Sequence, residues 1–285
     1  MESWLDIIIP VRNPGRKLLE TIDSLTAQTE RNFGVVLSDN HSSNGHEHLS
    51  EAEGLLRRHG IAVRRVQPPR ELGRVQHWNW AHAQGNAEWL KPLFVGDLLL
   101  PGYVERVRAR AEARSACGII RCEYETRLAG SAPRVTITPF AEIALTPQQF
   151  LWWFPSHGNW IGGPINVAYR RTAWCSAGGY AVQLPACADL NLNVNLILQH
   201  GLETIPEILA VFQLHTQRFS HGIGRRRVSG CFELWLILRQ AQNYCRNAGL
   251  IWPDHAVVRG VARQVKVDYW EPAKQRLKRV FWRQD

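Results

Sequence analysis

The chain has 285 residues, of which 45% are hydrophobic and 21% are charged, and this balance is typical of a globular protein with a sizeable core. Its net charge of +9 favours an anionic partner, which could be nucleotide phosphates, an anionic membrane or nucleic acid. The longest apolar runs, such as residues 234–238, are too short to span a bilayer and exclude a membrane-spanning helix.

The first half of the chain alternates strand and helix patterns with short loops. The predicted strands are residues 5–11, 33–38, 61–66 and 90–95, and the predicted helices are residues 18–25, a segment through 55–58, and 72–84. This order predicts a parallel sheet with right-handed crossovers. We expect Pro10 to stop the pairing of the first strand, because proline lacks the backbone donor.

The second half is less regular. The predicted strands are residues 117–124, 165–169 and 203–214, with a variable connection at 133–140. A short aromatic helix is predicted at 148–153, a longer one begins at Asp189, and further helices follow Gly230.

Two acidic residues follow predicted strands. The apolar run at residues 90–95 stops at Gly96 and Asp97, and Pro101 suits the first turn of a following helix. Asp39 follows the second strand, so both carboxylates are expected at the edge where open α/β sheets bind ligands. The chain contains neither G-x-G-x-x-G nor G-x-x-x-x-G-K, so neither a dinucleotide Rossmann site nor a P-loop is supported.

The N-terminus and the cysteines suggest a compartment. Residues 1–6 have no basic region and no long apolar run, so we expect no signal peptide. Six scattered cysteines form no C-x-x-C pair and no zinc-like spacing, so we assign them no chemistry. We therefore expect a cytoplasmic protein, either free or at the inner face of the membrane.

Four segments, in this order, resemble the family 2 nucleotide-sugar glycosyltransferases of the GT-A fold. They are the opening strand and helix at 7–28, the loop at 38–45 that is similar to D-N-x-S-x-D-G, the segment at 91–103 that is similar to K-F-L-x-x-D-D-x-L-L-P-x-Y, and Gly162-x-Pro164 through Asp189. The resemblance covers about residues 5–220. It implies an α/β fold with a Rossmann-like mixed central sheet flanked by helices.

The resemblance also implies a domain organisation. Residues 1–225 would form the GT-A catalytic domain, with a nucleotide-sugar half at 1–115 and an acceptor half at 116–225. Residues 226–285 would form a helical extension rich in basic and aromatic side chains. This extension either packs on the domain or holds it at an anionic membrane surface, and both alternatives stay open.

The resemblance implies roles for individual residues. The donor nucleotide would be bound by Pro10, Val11, Asn13, Asp39, Ser42 and Asp97. Asp39 would hydrogen-bond the uracil or thymine base, and Asp97 would face ribose, diphosphate or metal. Asp189 would be the general base. His215 would contact the diphosphate or, together with Asp97, a divalent cation, Mn²⁺ or Mg²⁺. A hard cation held by carboxylates offsets the charge of a leaving diphosphate.

These roles predict an inverting glycosyltransferase, because a single base without a second nucleophile means one displacement at the anomeric carbon. The donor would be a nucleotide-diphosphate sugar. The acceptor would be a saccharide or a lipid-linked saccharide, most simply in surface polysaccharide biosynthesis. No reading helix or RNP-type motif is present, so we expect no nucleic-acid partner.

Two departures from the family pattern keep alternatives open. Gly96 replaces an acid that normally touches metal, and Ala188 replaces a Glu that often precedes the base. The metal site could be reduced to Asp97 and His215, basic residues could replace the metal, or the chain could be a degenerate binding or scaffold subunit without turnover. Taken singly, Asp39 could be a loop cap, Asp97 a turn residue and Asp189 a helix N-cap.

Overall fold

The computed structural model describes residues 3–114, 116–128, 132–136, 144–157, 159–214, 227–253 and 256–266. The strands in these ranges are β1 (Leu5–Val11), β2 (Phe33–Asp39), β3 (Ala62–Val66), β4 (Trp89–Pro92), β5 (Leu98–Leu99), β6 (Ile119–Leu128), β7 (Arg134–Thr136), β8 (Ala144–Leu145), β9 (Val167–Arg170) and β10 (Leu202–Leu214). The helices are α1 (Lys17–Thr26), α2 (His46–Arg58), α3 (Arg74–Ala83), α4 (Tyr103–Ala113), α5 (Pro147–His157), α6 (Arg171–Ser176), α7 (Ala188–His200), α8 (Arg227–Ala248) and α9 (Ala256–Val265).

One mixed sheet organises these elements in the order β3-β2-β1-β4-β9-β6-β10-β5, with β7 beside β6 and β8 beside β10. The first four strands pair in parallel, as the sequence predicts. β9 is antiparallel to both of its neighbours, β4 and β6, and the short strands β5, β7 and β8 also pair antiparallel, so the sheet is mixed. The second half of the chain therefore continues the sheet of the first half.

The central strands are buried on both faces because their apolar residues are continuous rather than alternating. In β1, Ile7 and Ile9 pack with Leu18 and Ile22 of α1, whereas Ile8 packs in the cluster on the other face. Each buried isoleucine contributes roughly 1.5–3 kcal/mol relative to an exposed one. Helices on both faces follow from this pattern.

The pairing of β1 corrects the prediction for Pro10. β1 continues through this proline, which lies opposite Ser38 of β2. The last residue of β1 paired with β4 is Ile8, so Pro10 lies beyond that ladder and its missing N–H costs no bond to β4.

The segment after β4 also differs from the prediction. β4 ends at Pro92, and a turn closed by the Asp97 N–H on the Phe94 carbonyl (2.9 Å) separates the strand from Asp97. The short β5 then pairs with β10. Pro101 lies before α4 rather than in its first turn, because Gly102 with φ 88° forms the N-cap.

In the second half, α7 and β10 begin within one residue of their predicted starts. The predicted strand at 165–169 begins instead with a 3₁₀ turn, Pro164–Asn166, before β9. Ile237, Leu238, Ala241 and Cys245 of α8 lie in the same buried cluster as the apolar residues of α7. The predicted domain boundary at 225 falls at residues outside the described ranges. No helix among the described residues is long and apolar enough to cross a membrane.

Candidate active site

Five of the six predicted nucleotide-binding residues lie where β1 and β2 end, and the sixth, Asp97, lies in the turn after β4. Val11 lies opposite Asp39 in the parallel ladder, and the Asn40 N–H donates to the Val11 carbonyl (2.9 Å). Asn13 adopts a left-handed backbone conformation with φ 49°, and its N–H donates to Ser42 Oγ (2.8 Å). The two loops are therefore joined directly by hydrogen bonds.

The two oxygens of the Asp39 carboxylate have different surroundings. Oδ1 accepts hydrogen bonds from the N–H (3.1 Å) and the Oγ (2.5 Å) of Ser42, so Asp39 does cap its loop. Oδ2 lies 3.7 Å from the guanidinium of Arg65 on β3. The side chain is almost fully buried. The capping role and a ligand-binding role are compatible, because they use different oxygens.

A buried histidine supports this loop from below. His77 Nε2 of α3 lies 2.8 Å from the Oγ of Ser38, which is the residue before Asp39. Burial lowers the pKa of His77 to about 4, against the opposing effect of the Asp39 charge. His77 is therefore neutral near pH 7.

The environment of Asp97 explains why a glycine precedes it. Gly96 has φ 89°, a left-handed conformation that strains any L-residue, and its N–H donates to Thr21 Oγ1 (2.9 Å). Asp97 itself is buried. The left-handed backbone of this turn therefore favours glycine over a second acidic residue at position 96.

Lys91 joins the two halves of the sheet. This side chain is completely buried, and its Nζ donates to the carbonyls of Pro92 and Pro164, the latter at 2.7 Å. Burial lowers the pKa of Lys91 to about 7, while the charges of Cys122 and Asp97 act in the opposite direction. The lysine thus fixes the segment around Pro164 against the end of β4.

Asp189 lies in the first turn of α7, partly buried. The N-cap of α7 is Cys187, so the interpretation of Asp189 as an N-cap is wrong. Its Oδ1 accepts the N–H of Leu190 (2.9 Å), and burial raises the pKa of the carboxyl, an effect that Arg74 partly opposes. A Cβ on Gly163 would lie 3.3 Å from Oδ2, so the Gly163 backbone runs beside this carboxylate.

Helix α3 connects the surroundings of the two acids. The ring of Trp78 stacks on Phe94, in the turn that leads to Asp97, with centroids 4.7 Å apart. The Arg74 guanidinium lies 4.5 Å from the Trp78 ring centroid and also donates to the Pro185 carbonyl, in the loop before Asp189. This row of contacts runs from one predicted half of the domain to the other.

Sequence reasoning missed these supporting residues. A lysine within an otherwise apolar strand is the signal that could have identified Lys91. Arg74 and Trp78 are four residues apart on a predicted helix, which puts them on one face. His77 gave no signal, because its partner Ser38 is 39 residues away.

The residues near Asp97 do not fit a divalent cation well. No group of three or more His, Cys, Asp or Glu side chains in the part of the chain that the structure describes could hold a metal ion. The strained φ of Gly96 opposes a second carboxylate, and His215 lies outside the described residues.

A mixed sheet of this order, flanked by helices on both faces and followed by C-terminal helices, is the GT-A glycosyltransferase fold. S. aureus TarS matches the chain with a TM-score of 0.67 and 13% identity, over 92% of this chain and 72% of that one. TarS in complex with UDP-GlcNAc matches with a TM-score of 0.62 and 14% identity, over 85% of this chain and 72% of that one.

A further solved structure shares this fold, and one relative is similar in sequence. The mannosyltransferase PcManGT from Pyrobaculum calidifontis, in complex with GDP-Man and Mn²⁺, matches with a TM-score of 0.55 and 15% identity, over 97% of this chain and 79% of that one. An uncharacterized glycosyltransferase of Haemophilus influenzae is 22% identical over 218 residues, 76% of this chain and 70% of the relative. No family model matches the chain. The fold implied by the family resemblance is confirmed.

Proposed function

We propose that this chain is an inverting glycosyltransferase that moves a sugar from a nucleotide-diphosphate sugar to a saccharide or lipid-linked saccharide, in the synthesis of a surface polysaccharide. The observation that carries the proposal is the position of Asp189. It is a single partly buried carboxylate with a raised pKa, beside Gly163 and within the field of Arg74. The likeness to UDP-GlcNAc-bound TarS supports a nucleotide-sugar donor.

The donor nucleotide binds at the joined loops. Asp39 Oδ2 accepts from the base, while Ser42 holds Oδ1 and so fixes the orientation of the carboxylate. Asn13 lies beside the proposed nucleoside site and holds its two loops together. Its Oδ1 accepts the N–H of Ser43 (2.8 Å) and so keeps the loop after β1 against the loop after β2. A pocket whose polar groups are already oriented loses little entropy on binding.

Transfer takes one displacement. The acceptor hydroxyl oxygen attacks the anomeric carbon and forms the new C–O bond, while the bond to the diphosphate oxygen breaks and the diphosphate leaves with the electron pair. Asp189 takes the hydroxyl proton, and its raised pKa makes it a stronger base than an exposed aspartate. One displacement inverts the anomeric configuration.

Among the described residues, no group of three or more His, Cys, Asp or Glu side chains could hold a divalent cation. Arg74 is instead the cation that we assign to the developing negative charge of the diphosphate. Arg74 lies on α3, between the turn that carries Asp97 and the loop before Asp189, and its guanidinium lies over the ring of Trp78. A fixed cation facing developing charge lowers the barrier without reorganisation.

A second candidate function is a nucleotide-sugar-binding or scaffold subunit without turnover, and the strained Gly96 in place of an acid favours it. The experiment that separates the two uses purified protein with uridine, thymidine and guanosine diphosphate sugars. Thermal shift first identifies the nucleotide, because a ligand stabilises the fold that binds it. Release of nucleoside diphosphate in the presence of saccharide acceptors then supports the transferase, and binding without any release supports the scaffold.

Two exposed aromatic residues in the C-terminal extension support the proposal that the protein contacts an anionic membrane peripherally. Phe232 and Trp235 of α8 are 57% and 40% exposed, and their rings stack at 5.7 Å between centroids. Exposed aromatic pairs favour the membrane interface, and each nearby basic residue adds on the order of 1 kcal/mol on an anionic leaflet. The basic and aromatic segment at 271–285 lies outside the described residues. A lipid-linked acceptor would be presented at such a surface.

A further inference from the structure

We propose that Glu233 of α8 is a positioning residue for Asp189, an inference that rests on the proposed transferase function. Glu233 is 5% exposed although it carries a carboxylate. Its Oε2 accepts two backbone hydrogen bonds, from the N–H of Ala186 (2.9 Å) and the N–H of Cys187 (2.8 Å). These two residues immediately precede the helix that carries Asp189 in its first turn.

The bonds of Glu233 act at the point where α7 begins. Cys187 is the N-cap of α7, and no side chain of its own caps the helix. The first backbone N–H groups of a helix have no partner within the helix, and a carboxylate near them is stabilised by the helix dipole. Bonds from a carboxylate to N–H groups are stronger than neutral ones. Glu233 thus holds the backbone just before the first turn of α7.

The loop before α7 is held from two sides. On the side of the proposed donor site, Arg74 donates to the Pro185 carbonyl, and on the side of α8, Glu233 accepts from Ala186 and Cys187. The hydrogen bond of Asp189 Oδ1 is made within α7, where it accepts from the N–H of Leu190. The loop also has a turn of its own, closed by the Cys187 N–H on the Leu184 carbonyl (3.2 Å), and the contacts of Arg74 and Glu233 attach this turn to α3 and α8.

A looser loop has two consequences for Asp189. The carboxylate moves relative to the acceptor oxygen, which slows the chemical step without changing the nucleotide site. It also becomes more hydrated, so the part of its raised pKa that is due to burial is lost. Arg74, Tyr169 and Tyr180 are the described titratable groups whose charges interact with Asp189, and all three remain in both forms.

The experiment compares Glu233→Ala and Glu233→Gln with Gln240→Ala in the full chain. Gln240 is the matched control because it also joins α8 to α7, where its Oε1 accepts from Asn191 Nδ2 (3.0 Å), away from the loop. Each variant is measured for nucleoside diphosphate affinity by calorimetry, and for kcat, KM and the pH profile of kcat with the donor that the thermal-shift screen selects. Glu233→Gln keeps an acceptor oxygen, so it folds even if the alanine variant does not.

We expect Glu233→Ala to lower kcat by on the order of 100-fold, since a misplacement of about 1 Å has a cost of that size. Glu233→Gln lowers it less, nucleotide affinity is unchanged in both, and the acid limb of the kcat profile moves to lower pH. Gln240→Ala leaves kcat and the profile unchanged.

Three results would overturn the inference. The first is an unchanged kcat in both Glu233 variants, which leaves the transferase proposal intact. The second is an equal loss in Gln240→Ala, which reduces Glu233 to general packing of α8. The third is wild-type protein that binds nucleotide but transfers no sugar, which removes the proposed function and this inference together.

Discussion

Ser42 Oγ donates a 2.5 Å hydrogen bond to Asp39 Oδ1 in the loop that follows β2, and the Asn13 N–H ties this loop to the one that follows β1. This bond orients the carboxylate and leaves Oδ2 facing Arg65. A residue that caps its own loop with one oxygen can still present the second oxygen to a ligand. Donor binding therefore requires that Oδ1 holds the loop while Oδ2 is presented to the ligand.

The first prediction therefore concerns Asp39 and Ser42. We expect Asp39→Ala to weaken nucleoside diphosphate binding by about 10- to 100-fold, because a bond to a charged group contributes roughly 1.5–3 kcal/mol. Ser42→Ala weakens it less, since the backbone N–H still holds Oδ1. Ser43→Ala is the control, because its exposed hydroxyl donates to Asn13 Oδ1 at 3.3 Å, while the shorter bond to the same oxygen comes from the Ser43 N–H (2.8 Å) and is kept. Calorimetry that finds unchanged affinity in Asp39→Ala would reduce Asp39 to a loop cap.

The second prediction concerns Gly96. With φ 89°, Gly96→Asp forces a strained backbone, and we expect a loss of about 1–3 kcal/mol in the free energy of unfolding. The new carboxylate does not tighten Mn²⁺ binding, because the turn cannot keep its geometry. Gly15→Asp is the control, since nothing lies within 4 Å of a Cβ at that exposed position. Urea unfolding and Mn²⁺ titration check both parts, and tighter Mn²⁺ binding without loss of stability would contradict the argument.

The third prediction follows from the burial of Lys91. The pKa of Lys91 is about 7 in the folded chain, whereas the ordinary pKa of a lysine, which applies to the unfolded chain, is 10.5. Between these two pH values the unfolded chain binds more protons than the folded chain, so the free energy of unfolding rises with pH. The rise is up to about 1.4 kcal/mol per pH unit. Above pH 9 the buried thiol of Cys122, whose pKa is raised to about 12, acts in the opposite direction.

The measurement for Lys91 is the free energy of unfolding of wild type and Lys91→Met at pH 7, 8 and 9. The difference between them should change with pH in favour of wild type, because methionine cannot titrate. A difference that is constant over this range would mean that Lys91 keeps its ordinary pKa in the folded chain.

The fourth prediction concerns α8. Replacing Phe232 and Trp235 by serine, or deleting residues 271–285, should reduce sedimentation with anionic vesicles at low salt. Val182→Ser is the control, since Val182 is 44% exposed outside the extension. If wild type stays in the supernatant with the vesicles, the extension is not a membrane anchor.

The sequence predicts the parallel half of the sheet well, because β1 and β2 are continuous apolar runs that end at turn-forming residues. It overextends β4, because Phe94 and Val95 are apolar and yet form a turn after the strand. Short-range patterns do not distinguish a half-buried turn from a buried strand. The placement of β9 depends on its antiparallel pairs with β4 and β6, which are 75 or more and about 48 residues away in the chain.

The candidate site also has a part that the sequence predicts and a part that it does not. Asp39, Asp97 and Asp189 are predictable because each follows or opens an element, where turn and cap chemistry is visible in the sequence. Their supports, such as His77 and Glu233, act across 39 residues or more, and their partners are backbone or hydroxyl groups that leave no pattern. Nothing in the local sequence indicates that Glu233 is buried.

The most direct test of the account is sugar transfer by Asp189→Asn, measured beside nucleoside diphosphate affinity in the same preparation. Asparagine keeps the shape and can still accept from the Leu190 N–H, but it cannot take a proton. The account predicts unchanged nucleotide affinity and a loss of kcat by a factor on the order of 100 to 10,000, the usual contribution of a general base. Transfer at the wild-type rate by Asp189→Asn would contradict the central claim that this carboxylate is the base.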